Sequence, residues 1–277
     1  MLLILSISIC ANAQIYFKTY TGYSFSMNPQ KIESTAILNG SSNVYINKYR
    51  NGEGLNLGLA CGYSLSNSLA IEFVGNSQVF ATQNISTPQY DYRQYQSFTF
   101  IGYFGKMRYS NSMLQLSPQI VYKIDYKKLN LYLKAGPNLM IVNNDVKLDH
   151  VSWTVDQGGW SPQNHIEAEY KMNGDFCIGL QTSCGVELSL SKNINFFVEF
   201  LAVNTTYKYK EAEVVRYDVD GVDYLEHVTV RTEPIENGLE MDFSHIGLNI
   251  GIKYVFNKKM KKRASTFIGE LHRMPKC

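Results

Sequence analysis

Residues 245–256 read HIGLNIGIKYVF. Ile246, Leu248, Ile250, Ile252, Tyr254 and Phe256 share one parity, and Gly247, Asn249, Gly251 and Lys253 take the other. Successive side chains of a strand point to opposite faces, so this stretch has one apolar face and one small, polar face. The pattern recurs. In residues 54–65, GLNLGLACGYSL, the apolar parity holds Leu55, Leu57, Leu59, Cys61, Tyr63 and Leu65. In residues 176–190, FCIGLQTSCGVELSL, it holds Phe176, Ile178, Leu180, Val186, Leu188 and Leu190. Soluble strands average about five or six residues, and alternation this long suits a strand that crosses a bilayer at a tilt.

Eight such segments are expected, near 15–25, 54–65, 69–80, 113–124, 129–142, 175–190, 194–206 and 243–256. Short connections, such as Ser66-Asn67-Ser68, Asp125–Lys128 and Ser191-Lys192-Asn193, alternate with long polar ones at 26–53, 81–112, 143–174 and 207–242. Short turns at one end and long loops at the other predict an all-β, antiparallel up-and-down transmembrane barrel of eight strands with long extracellular loops. Ten strands is the alternative, if SFTFIGYFGKMRY (97–109) supplies another hairpin. A soluble barrel would turn the same apolar stripe inward. Against it, the minor parity is dominated by Gly, Ala, Ser, Asn and Gln, too small and polar for a core. Tyr63, Tyr122, Tyr254 and Phe256 also sit near the short-turn ends, as in an interfacial aromatic girdle. The 20 Tyr and 14 Phe against 7 Pro agree with strands. No apolar run reaches the length of about 18 residues that a membrane helix needs.

The segments LSPQIVYKIDYKKLNLYLKAGPNLMIV (116–142) and IGLNIGIKYVF (246–256) resemble the outer-membrane β-barrel domain family of small barrels of the OmpA, OmpX, OmpW and PorT kind. The resemblance covers most of 14–256 and implies an eight-stranded outer-membrane barrel with both termini periplasmic. It implies no single activity. The last strand ends on Tyr254 and Phe256, similar to the C-terminal signal that the barrel-assembly machinery reads.

Residues 2–9 are apolar, and Ala11-Asn12-Ala13 has the form of a cleavage site, so 1–13 is expected to be a signal peptide. Its positive n-region is missing, which suggests a truncated start or an internal Met; a buried first strand is the other reading. Cys10 follows Ile9, which argues against lipoprotein processing. The basic tail 257–277 carries Lys258, Lys259, Lys261, Lys262 and Arg263 beyond the last strand. It is expected on the periplasmic side, as a solvated extension.

Chemistry-bearing residues are few. Lys18, Glu72, Lys123, Lys134, Glu187, Glu199 and Lys253 fall on lumen parity, all toward the short-turn end. Side chains fill a small barrel, so a paired charge network plugging the lumen is expected, with an ion path as the alternative. Among His150, His165, His227, His245 and His272 only His245 adjoins a strand, beside Ser244 and Asp242. Strand neighbours point to opposite faces, so Ser244 and His245 form no direct dyad, and no catalytic residue is expected. Asp218, Asp220 and Asp223 around Gly221 fit a calcium loop poorly, with Arg216 and His227 where acids are needed. Asp-Gly there predicts a hairpin instead. Cys61, Cys177, Cys184 and Cys277 lack metal spacing, so no metal or cofactor is expected. A net charge of +2 without a basic face argues against nucleic acid. The expected partners are outer-membrane lipid and lipopolysaccharide, the assembly machinery and an extracellular ligand of the loops, for a monomer in the outer membrane. A solute channel and a lipid-modifying enzyme are the competing functions.

Overall fold

The computed structural model describes residues 14–38, 41–91, 100–126, 129–156, 159–228 and 231–256. The expected signal peptide 1–13, the tail 257–277 and His272 lie outside the described residues. Fifteen strands are described: β1 (Gln14–Ser26), β2 (Gln30–Leu38), β3 (Ser41–Tyr49), β4 (Gly54–Ser64), β5 (Leu69–Phe80), β6 (Gln83–Asp91), β7 (Phe100–Tyr126), β8 (Leu129–Asp156), β9 (Gly159–Gly174), β10 (Cys177–Ser189), β11 (Ile194–Asn204), β12 (Thr206–Val219), β13 (Val222–Asp223), β14 (Thr232–Asp242) and β15 (His245–Phe256).

Eight of them close a ring in the order β1, β4, β5, β7, β8, β10, β11, β15 and back to β1, with every neighbour antiparallel. Two short turns share one device. Ser66 Oγ accepts from the amides of Ser68 and Leu69, and Ser191 Oγ accepts from those of Asn193 and Ile194. A hydroxyl bonding the backbone two or three residues on is a local turn instruction.

The ten-strand alternative fails. Residues 100–126 are one continuous strand, and β6 pairs with its upper part without entering the ring. The expected loops also need correction. β7 runs 27 residues and β8 runs 28, where about 9–11 cross a bilayer. Beyond the ring they continue into an open wall of β6, β7, β8, β9, β12 and β14, while β2 and β3 form a separate hairpin. Much of 26–53, 81–112, 143–174 and 207–242 is therefore strand. The expected hairpin at Asp220-Gly221 is present, with both residues at positive φ, but its return strand β13 has only two residues. β14 provides the longer partner of β12.

The ring is apolar outside and polar inside. Leu57, Leu59, Phe73 and Ile178 stand 64–67% exposed on its outer face, whereas Asn56, Glu72, Gln78, Asn138 and Asn249 are completely buried within. Four aromatic rings reach over glycines of the next strand. Tyr16 pairs with Gly62, Tyr20 with Gly58, Tyr132 with Gly185, and Phe197 with Gly251. A Cβ on Gly58, Gly62 or Gly185 would lie 1.9–2.4 Å from the facing ring, which no contact tolerates. The small minor-parity residues are thus notches for aromatic side chains that the alternation hides.

Where the ring passes into the wall, the inner face becomes apolar. Phe80, Met113, Met140, Val142, Tyr207, Tyr209, Met241 and Phe243 pack together there, with Met107, Tyr109, Met172 and Ile235 against them.

Candidate functional site

The short-turn half of the lumen holds the densest chemistry in the described chain. β1, β5, β8, β10, β11 and β15 each turn one charged residue inward. Glu72 lies at its centre, with Lys18 Nζ at 3.1 Å and Lys134 Nζ at 2.7 Å on its two oxygens. Lys134 continues to Glu199 at 2.7 Å. On the other side Lys18 reaches Glu187 at 3.3 Å, and Glu187 takes Lys253 at 2.6 Å. The result is one alternating chain, Lys253–Glu187–Lys18–Glu72–Lys134–Glu199, each member at most 5% exposed.

Buried ions are costly unless their partners and remaining lone pairs are satisfied. Two tyrosines supply further bonds. Tyr16 donates its hydroxyl to Glu72 at 2.9 Å, and Tyr132 donates to Glu199 at 2.8 Å. Their rings also receive the ammonium groups. Lys18 lies 4.5 Å from the Tyr132 centroid, and Lys253 and Lys123 lie 4.3 and 4.9 Å from that of Tyr16. A desolvated cation over an aromatic face gains about 2 kcal/mol. Lys123 stands nearer the short-turn mouth and donates to Ser64 Oγ at 3.1 Å. Tyr16, Tyr132 and Phe197 are absent from the residues picked out by sequence. The signal available was the set of glycines placed opposite them.

Above the ions the lumen is lined by amides. Asn76 donates to Gln115, Asn56 to Ser24, and Gln78 to the Gly52 carbonyl. A transmembrane ring must satisfy its backbone internally and show hydrocarbon an apolar surface, and a closed antiparallel ring with this exterior does both. The chain is an outer-membrane β-barrel. Its short turns mark the periplasmic end, and its wall stands outside the cell. Tyr63, Tyr122, Tyr126, Tyr254 and Phe256 lie exposed at the periplasmic rim of the apolar belt, and Phe17 meets Phe256 edge to face at 5.6 Å across the β1–β15 seam.

The barrel's other marked residues are dispersed. His245 is buried, with Nδ1 2.8 Å from the Phe243 carbonyl, and Ser244 Oγ bonds the Thr205 backbone. His165 and Asp149 meet at 2.8 Å on the extracellular wall, where this hydrogen bond raises the imidazole pKa above its ordinary value. Asp220 and Asp223 lie at the hairpin tip. Asp220 Oδ1 accepts from the His165 amide, and Asp223 Oδ1 from that of Leu225. Among the described residues no group of three His, Cys, Asp or Glu is placed to hold a metal ion.

No family model and no curated protein matches the chain. Similar solved structures include Neisserial surface protein A, NspA (13% identity, 88% of this chain and 99% of that chain, TM-score 0.40). Ail, the attachment invasion locus protein of Yersinia pestis, is 11% identical over 88% of this chain and 97% of its own, with a TM-score of 0.30. The outer membrane protease OmpT from Escherichia coli is 9% identical over 88% and 97%, with a TM-score of 0.34. At these identities and scores the likenesses assign no activity.

Proposed function

We propose that this outer-membrane barrel is a non-enzymatic surface protein whose membrane ring serves to carry an extracellular β-wall that meets an external ligand. The observation that carries this reading is the continuation of β7 and β8 far past the length a bilayer needs. Loops on a rigid scaffold are where binding residues concentrate, and here the scaffold itself extends outward. The buried ion chain supports a plugged ring over a solute channel. The separate bonding of Ser244 and His245 supports the absence of a hydrolytic dyad.

In this proposal the apolar belt contacts membrane lipid, and the charged outer face above it, with Arg108, Lys147 and Arg216, meets lipopolysaccharide. Tyr254 and Phe256 serve as the assembly signal, and the barrel works as a monomer. Residues 1–13 are the cleaved leader, and 257–277 is a periplasmic extension. The test pairs planar-bilayer recording of the purified chain with the lipid-A profile of cells that overproduce it. No conductance steps and unchanged lipid A are expected. Stepwise conductance would replace this reading with a channel, and altered lipid A would replace it with a lipid-modifying enzyme.

A further inference from the structure

The apolar belt is not even. On its outer face Cys184 of β10 sits between Leu133 of β8 and Phe200 of β11, and Val186 sits between Leu131 and Val198. Leu131, Leu133 and Phe200 thus bank a floor of shorter side chains, and a furrow of about 460 Å³ runs along β10 there. Val186 and Val198 are 39% and 37% exposed, against 63–67% for Leu55, Leu57 and Leu59 on β4. Tyr132 lines the furrow but turns its hydroxyl inward to Glu199. Among the described residues, the Cys184 thiol is then the only polar side-chain group the furrow presents. Ile124 at its edge lies two residues before the end of β7, so the furrow opens near the periplasmic rim.

We propose that this furrow is a lipid site that holds one saturated acyl chain of a phospholipid in the periplasmic leaflet. The proposal deepens the reading that the belt contacts membrane lipid, by naming one place and one chain type on it. The furrow is continuous with that belt, and its depth near the rim selects the periplasmic leaflet. Lipid tails are as apolar as leucine, so no hydrophobic force separates one belt site from another; fit does. Dispersion contacts are small singly and add up only where a chain lies in continuous touch with its walls. A strand is a straight element, and a furrow along it matches an extended saturated chain. A cis double bond bends the chain and lifts it off the floor.

The test reconstitutes the full folded chain in vesicles of palmitoyl-oleoyl- and dioleoyl-phosphatidylethanolamine in equal amounts, and carries it in mild detergent into native mass spectrometry. One retained phospholipid per chain is expected, with the palmitoyl-oleoyl form in excess over the equal feed. Cys184→Phe fills the furrow and should abolish retention, while Cys184→Ala leaves the floor low and should keep it. Cys61→Phe makes the same change on the outer face of β4 and should also keep it. Heat-modifiable gel mobility checks that each variant remains a folded barrel. No retained lipid, or lipid that the folded Cys184→Phe chain keeps in full, overturns the proposal. Equal loss in the Cys184→Phe and Cys61→Phe chains would mean a uniform lipid coat, which keeps the belt and overturns the furrow. Equal amounts of the two lipids would overturn the choice of a saturated chain. A dimer that Cys184→Phe dissociates would give the furrow to a second copy of this chain and overturn the lipid site.

Discussion

The two halves of β8 are built on opposite plans. In the membrane, Leu131, Leu133, Leu139 and Ile141 face outward and Lys134 and Asn138 face inward. A few residues farther along the same strand, Lys147 and Asp149 face outward and Val142 and Val146 face inward. β7 inverts in the same way, from Ile120 and Leu116 outside to Arg108, and from Gln119 inside to Met113. The backbone hardly changes; the solvent does. Hydrocarbon outside demands an apolar exterior and permits a polar lumen, while water outside reverses both. Side-chain polarity therefore reports the surroundings of a strand, and alternation alone reports that it is a strand.

The largest test of this contrast is in the lumen. Glu72→Gln takes one of two carboxylate partners from both Lys18 and Lys134, leaves one buried positive charge uncompensated, and should cost about 3–5 kcal/mol in reversible unfolding from lipid vesicles. A loss under about 1 kcal/mol would mean the ion chain is hydrated rather than buried. Next comes the belt. Leu57→Arg should cost about 2–4 kcal/mol if it lies near the midplane. The reverse change on the wall, Lys147→Leu, removes one exposed ion pair with Glu169 and should stay within about 0.5 kcal/mol. Equal costs at the two sites would erase the boundary drawn between membrane and wall.

The smallest effect belongs to pH. The Asp149 hydrogen bond holds the His165 pKa above its unfolded value of about 6.5. The stabilisation is complete below about pH 6.5 and is lost as pH rises through the higher folded value. An NMR titration of His165 should show that elevation, and Asp149→Asn should return it to the ordinary range.

The membrane strands were legible because their alternation keeps one polarity over a full crossing, as in Ile246 to Phe256. Residues 143–151 belong to β8, but their sequence has the look of a loop although Val146-Lys147-Leu148-Asp149 still alternates, because its apolar members sit on the parity that faces the lumen lower down. Parity also places Lys18, Glu72 and Glu187 on one face, but it does not say which ammonium meets which carboxylate. That depends on register across strands distant in sequence, such as Lys18 of β1 with Glu72 of β5. The inward aromatics were illegible for a similar reason. Tyr16 and Tyr20 break the small-and-polar pattern of their parity, and only pairing with Gly62 and Gly58 explains how they fit.

Those ring-and-notch pairs also act as a vernier for assembly. A slip of one residue would turn every side chain to the wrong face, so the belt forbids it. A slip of two keeps every face correct, and the belt is blind to it. Such a slip between β1 and β4 would set Tyr16 against Ala60 or Ser64 in place of Gly62, and Tyr20 against Asn56 or Ala60 in place of Gly58. Two glycines four residues apart thus index the strands in the one step that hydrophobicity cannot read, and fix the stagger that determines the tilt and bore of the finished cylinder.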